Sequence, residues 1–136
     1  MTDTHRLSSP ATLPRPAGYS HLAEVGGGRL VYIAGQVPQD AAGKLIGAGD
    51  LRAQLRQVFT NLQLAVEAAG GTFADIVKLN YYCVDAVPPS DQPIVREVRD
   101  QFVNTAAPPV STFVVVRRLV RPEWLIEVEA VAVIAP

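Results

Sequence analysis

The stretch Trp124-Leu125-Ile126-Glu127-Val128-Glu129-Ala130-Val131-Ala132-Val133-Ile134 decides the architecture. Trp124, Ile126, Val128 and Ala130 alternate with Leu125, Glu127, Glu129 and Val131, the period-two pattern of a strand. Large apolar residues stand on both sides of it, so both faces of the sheet it joins want cover. Helices can supply one face, and a second copy of the chain is the simplest supplier of the other.

Working back from this strand, residues 111–117 read as a further strand, and Arg117, Arg118 and Arg121 as the solvated tip of a hairpin joining the two. Pro108 and Pro109 bar a helix from running into that strand. Before them Ile94, Val95, Val98 and Phe102 define the inward face of a helix, with Ser90 or Asp91 as its cap and Pro93 tolerated in its first turn. Residues 76–84, rich in β-branched and aromatic side chains, predict another strand. The clearest helix begins at Leu51, because Leu51, Leu55, Val58, Leu62, Ala65 and Ala69 recur at alternate spacings of four and three. Asp50 is placed to cap its start, and Gly70 with Gly71 to release its end through a left-handed conformation.

Residues 22–25 and 30–37 predict a β-hairpin across Gly26, Gly27 and Gly28. A strand follows these glycines where a phosphate loop needs a helix amino terminus, so anion binding there is not expected. Residues 1–17 hold three prolines and read as an irregular arm, leaving residues 18–136 as a single domain. The expected order is ββαβαββ, an α+β fold with two helices on one face of a single mixed sheet.

With 136 residues, 49% of them hydrophobic, the chain can bury an adequate core without disulfide or metal. A net charge of −1 gives no general attraction to nucleic acid or to anionic lipid. Its apolar runs are shorter than the roughly 20 residues of a membrane-spanning helix, so no membrane partner is expected. Residues 1–10 are polar and unlike a secretory signal, and the lone Cys83 cannot form an intrachain disulfide, which together predict a cytoplasmic protein. Two histidines far from any acidic or thiol cluster predict no metal site, and Cys83, among apolar neighbours in a strand, reads as an inert buried thiol. Glu127 and Glu129 are the anomaly. They share one face of an otherwise apolar strand, either as carboxylates paired with arginine on a solvated or subunit-facing surface, or with one of them held in a cleft as a general acid or base.

Five collinear segments between Tyr19 and Val133 together resemble the RidA (YjgF) family. They are Ala17-Gly18-Tyr19-Ser20, the run from Val31 to Pro38 containing Ala34-Gly35-Gln36, and the helix with Gln57, Asn61 and Leu62 ending at Ala68-Ala69-Gly70. Asp75-Ile76-Val77-Lys78 and the run from Ile126 to Val133 complete them. The resemblance implies a chorismate-mutase-like fold assembled as a homotrimeric barrel, with small-molecule clefts between subunits. It implies hydrolysis of reactive imines and enamines to a carbonyl compound and ammonia, with no cofactor. Glu127 matches the family's cleft carboxylate, Tyr19 its cleft tyrosine, and Gly35 the backbone beside the ligand. Val110, Ser111 and Thr112 match the segment that grips the substrate, but Val110 stands where deaminase members carry a carboxylate-binding arginine. Arg96 falls near a helix position that faces the cleft in relatives and is a candidate replacement; its plain alternative is a solvent-exposed helix arginine. Loss of the arginine leaves a second function open, a trimer that binds small ligands or protects proteins without catalysis. Ribonuclease activity, sometimes attached to the family's name, lacks a histidine pair and a basic groove here.

Overall fold

The computed structural model describes residues 4–136. Eight principal elements follow in order: β1 (His5–Ser8), β2 (Leu22–Val25), β3 (Arg29–Gln36), α1 (Leu51–Ala68), β4 (Ile76–Val84), α2 (Pro93–Arg99), β5 (Val110–Val116) and β6 (Ile126–Ile134). The main sheet has the strand order β3-β6-β4-β5. β6 runs antiparallel to both β3 and β4, and β5 runs parallel to β4. The stretch that decides the fold therefore lies inside the sheet, between the two strands that α1 connects.

α1 forms where its periodicity places it. Asp50 accepts a bond from the Ala53 N–H, and the chain leaves through Gly70 at φ +92°. Leu51, Leu55, Val58 and Leu62 are buried as expected, joined by Gln54, Phe59 and Val66, whereas Ala65 and Ala69 are only half-buried. The helix packs on the face of β6 formed by Ile126, Val128, Ala130, Ala132 and Ile134, and Phe59 anchors an aromatic cluster with Phe73, Tyr81 and Phe102. Fully burying apolar side chains of this size is worth about 1.5–3 kcal/mol each before the entropy of ordering them. α1 and this sheet face therefore form the structural centre.

The α+β class with two helices on one face of a mixed sheet is as expected, but four local expectations are corrected. The stretch 1–17 is not wholly irregular: its first three residues lie outside the described ones, and β1 pairs antiparallel with β2 from His5↔Val25 to Ser8↔Leu22. That pairing removes the predicted β2–β3 hairpin, because β1 pairs with β2 in a separate two-stranded sheet while β3 pairs along most of its length with β6. Gly28 has φ +94°, and a Cβ on it would lie 2.7 Å from the Ile134 carbonyl, so this glycine serves the approach to β6 rather than a hairpin turn. β5 and β6 are not a hairpin either: β4 lies between them, and Arg117, Arg118 and Arg121 sit on an exposed crossover. Neither Ser90 nor Asp91 caps α2, which is entered through a 3-10 turn at Pro89–Asp91; Pro93 does occupy its first turn.

Candidate functional site

The side of the main sheet away from the helices carries three transverse rows of side chains, fixed by the strand register. Val110, Lys78 and Val131 form the first, Thr112, Asn80 and Glu129 the second, and Val114, Tyr82 and Glu127 the third, across β5, β4 and β6 in that order. Tyr32 on β3 extends the first row and is 78% exposed. This open face combines a large apolar surface with two adjacent carboxylates.

The carboxylates differ in their surroundings. Glu129 accepts a very short hydrogen bond from the Tyr82 hydroxyl. Bonding to Glu129 is also the main reason that the Tyr82 pKa is raised. Glu127 has no hydrogen bond or ion pair to a described residue, and both partial burial and the neighbouring Glu129 charge raise its pKa. Within the chain, then, neither carboxylate pairs with an arginine among the described residues: one is bound by tyrosine and the other is free. Gly35 lies against the free one: a Cβ there would stand 2.8 Å from the Glu127 Cδ and 2.9 Å from its Cγ. Only glycine leaves the carboxylate its place beside the bulged backbone of β3, where the register with β6 shifts between Ile33 and Gln36.

The other expected site residues lie elsewhere. Val110 is half-buried at the start of β5 and Thr112 is exposed two residues on, both on the open face. Val110 is two strands and four residues from Glu127, about 16 Å by ordinary sheet spacings. One chain cannot close both around a single small molecule. Ser111 points to the opposite side of β5, where with Tyr19 and Arg96 it lines a cavity of about 260 Å³ between β5 and α2. Tyr19 stacks edge-on against His21, with centroids 5.2 Å apart, and Ser20 ties this loop to β5 through its N–H to the Pro109 carbonyl and its hydroxyl to the Pro108 carbonyl.

Sequence reasoning passed over Lys78, the exposed cation beside Val110, and Arg99, buried beside Arg96 in the cavity wall. The first needed the parallel β4–β5 register to be seen. The second was hidden because a buried arginine next to an aspartate reads like any surface ion pair. Cys83 is fully buried, and burial pushes its pKa up to about 11, in keeping with an inert thiol. Among the described residues no group of three or more His, Cys, Asp or Glu side chains could hold a metal ion, and no helix is long and apolar enough to cross a membrane.

The profile of the family described as "Endoribonuclease L-PSP" matches residues 11–134. A 2-iminobutanoate/2-iminopropanoate deaminase of Dermatophagoides farinae is 32% identical over 108 residues, covering 79% of this chain and 80% of its own. A RutC family protein of Pyrococcus horikoshii is 35% identical over 120 residues, covering 88% and 90%. Among solved structures, a Rid-family protein of unknown function from Yersinia pestis superposes with a TM-score of 0.88 at 37% identity, covering 96% of this chain and 99% of that one. RidA from an Antarctic Psychrobacter gives 0.69 at 28% identity over 95% and 99%. The collinear sequence segments and the two-helix mixed sheet agree with these matches, and the chain belongs to the RidA/YjgF family, whose profile is the one described as endoribonuclease L-PSP.

Proposed function

We propose that this protein is a cofactor-independent hydrolase of small reactive imines and enamines, acting in clefts between the subunits of a homotrimer, with Glu127 as general acid and base. The observation that carries the reading is the unpartnered Glu127, on a face that neither helix covers, with its pKa raised and its position reserved by Gly35. A carboxyl group whose pKa is raised is a stronger base when ionised than an ordinary glutamate, which suits a group that must take up a proton and then return it. Glu127 takes a proton from water as the oxygen adds to the imine carbon. It returns that proton to nitrogen to give a carbinolamine, then takes the carbinolamine's hydroxyl proton and passes it to the amine, so that the C–N bond breaks and ammonia leaves as the carbonyl forms. An enamine enters the same path after protonation at carbon. The relative named for imine deamination supports the substrate class. The separation of Glu127 from the Val110 segment supports a cleft shared between chains, each contributing one wall. The open face supplies the surface for that assembly, with Leu30 55% and Tyr32 78% exposed.

The test is an assay that follows loss of 2-iminopropanoate generated in situ. Wild-type protein should accelerate hydrolysis over buffer, and Glu127→Gln should lose about 100-fold or more, the usual worth of general acid–base catalysis. Glu129→Gln should alter stability or assembly more than turnover. Acceleration that survives Glu127→Gln would remove its role. No acceleration by the wild type would favour the second reading, a trimer that binds ligands or protects proteins without catalysis; Val110, at the position where the resemblance implies a carboxylate-binding arginine, is what supports it.

A further inference from the structure

A second cavity, of about 420 Å³, opens between β1, the 3-10 turn Phe73–Asp75 that leads into β4, and the segment that joins α2 to β5. It shares no lining residue with the cavity lined by Tyr19 and Arg96, and no residue of the open face's three rows borders it. Its β1 wall carries polar side chains out of reach of solvent. Thr4 and His5 are 7% and 8% exposed, and the Thr4 Oγ1 meets the His5 Nδ1 at 2.8 Å. This pair is fixed from the β2–β3 connection: the Gly26 N–H donates to the Thr4 carbonyl at 2.9 Å, and a Cβ on Gly28 would lie 3.2 Å from the Thr4 Cγ2. The wall is thus polar and held in place before any ligand arrives.

Two side chains of opposite formal charge line the cavity, and only one of them is matched. Arg6 is taken up by Glu24 on β2, whose Oε2 accepts from the Arg6 Nε at 2.9 Å. Asp75 is in no ion pair among the described residues. Its Oδ2 accepts from the Thr72 N–H at 2.8 Å, and a Cβ on Gly71 would lie 2.8 Å from the same oxygen, so the backbone holds one oxygen and the glycine leaves it room. The Oδ1 has no partner among the described residues. The lining also includes Phe73, Ile76 and Val103. An anion would meet the Asp75 charge with Arg6 already engaged. A bare metal ion would need more oxygen ligands than one carboxylate and one hydroxyl provide. An ammonium brings a compact positive charge with N–H donors for the free oxygen, and the apolar wall fits a hydrocarbon body. From this arrangement we infer that the cavity between β1, the Phe73–Asp75 turn and the α2–β5 segment binds small primary amines with an apolar body, held by Asp75.

The inference is independent of the hydrolysis reading, since amine binding is measured whether or not the protein turns over imines. The experiment is calorimetric titration of the full chain at neutral pH with benzylamine and isobutylamine, against benzyl alcohol and benzoate. At least one amine should bind at millimolar concentration or below, with the alcohol and the acid at least about tenfold weaker than that amine, as loss of one charge-assisted pair implies. Asp75→Asn, which keeps an oxygen for the Thr72 N–H, should weaken the amine by about tenfold or more. Asp85→Asn, at an exposed acid outside the cavity, should leave amine binding unchanged and so separate the site from general charge attraction. Ala107→Trp, which fills the cavity from an exposed position of its lining, should abolish binding and decides the matter even where Asp75→Asn fails to fold. Amine and alcohol of equal affinity, benzoate as tight as the amines, amine binding unchanged in Asp75→Asn or Ala107→Trp, equal weakening in Asp85→Asn, or no binding of either amine would each overturn the assignment.

Discussion

At the scale of single residues, Glu127 and Glu129 are two positions apart on one strand, yet only one is free. The difference comes from β4, which sends the Tyr82 hydroxyl to Glu129 and nothing to Glu127. The consequence for Glu127 is a pH dependence of stability with a definite sign. Its folded pKa is raised above the ordinary 4.5, so the native state holds its proton more tightly than the unfolded chain does. Below the unfolded pKa both states are protonated and there is no penalty. As pH rises through the folded value, the native state must charge a partly desolvated carboxylate and loses stability. Glu127→Gln is therefore expected to melt higher than wild type at neutral pH, with the difference vanishing below about pH 4, where both states hold the proton. Thermal unfolding of the two proteins from pH 3 to 8 checks this, and equal melting temperatures throughout would contradict the free-carboxylate assignment.

At the scale of elements, the joint between α1 and the start of β6 rests on a polar residue inside an apolar helix face. Gln54 is fully buried; its amide donates to the carbonyls of Gly47 and Glu123 at 3.1 and 3.0 Å and accepts from the Leu125 N–H at 2.8 Å. By these three bonds α1 fixes the loop that feeds Glu127 into the sheet. Gln54→Leu, though apolar and of similar size, is expected to cost about 2–4 kcal/mol, because it leaves backbone groups unpaired in the interior. Urea unfolding measures it, and a neutral or stabilising result would mean that water substitutes for the amide. The heptad-like spacing of leucines foretold the helix but not this glutamine, since a polar residue at an inward position looks in sequence like a break in the pattern.

At the scale of the molecule, the sheet is covered on one face only, and its open face presents Leu30, Tyr32 and Val114 as exposed apolar side chains. In water such a surface favours association. The expected state is a trimer at micromolar concentration, by light scattering, and Tyr32→Asp, which places a charge in the most exposed apolar position of that face, should shift it toward monomer. A monomeric wild type would remove the shared clefts on which the hydrolysis reading depends. Turnover in Tyr32→Asp should fall with the trimer fraction, because one chain holds Glu127 about 16 Å from the Val110 segment.

Local periodicity was enough to determine α1, its Asp50 cap and its Gly70 exit, the strand character of β4, β5 and β6, and the pairing of Glu127 with Glu129 on one face, because each of these depends on residues within a turn or two of one another. The resemblance of five short segments added the family. Long-range order was not legible in the same way. That β1 takes β2 away from a hairpin, that β4 separates β5 from β6, and that Gly35 faces Glu127 all depend on which strand edges meet, and the sequences of single strands do not carry that choice. The same holds for the two arginines of α2: Arg96 and Arg99 are one helical turn apart in sequence, but only the fold shows that Gly18 and Ser111 close around them and that a single aspartate is left to balance both.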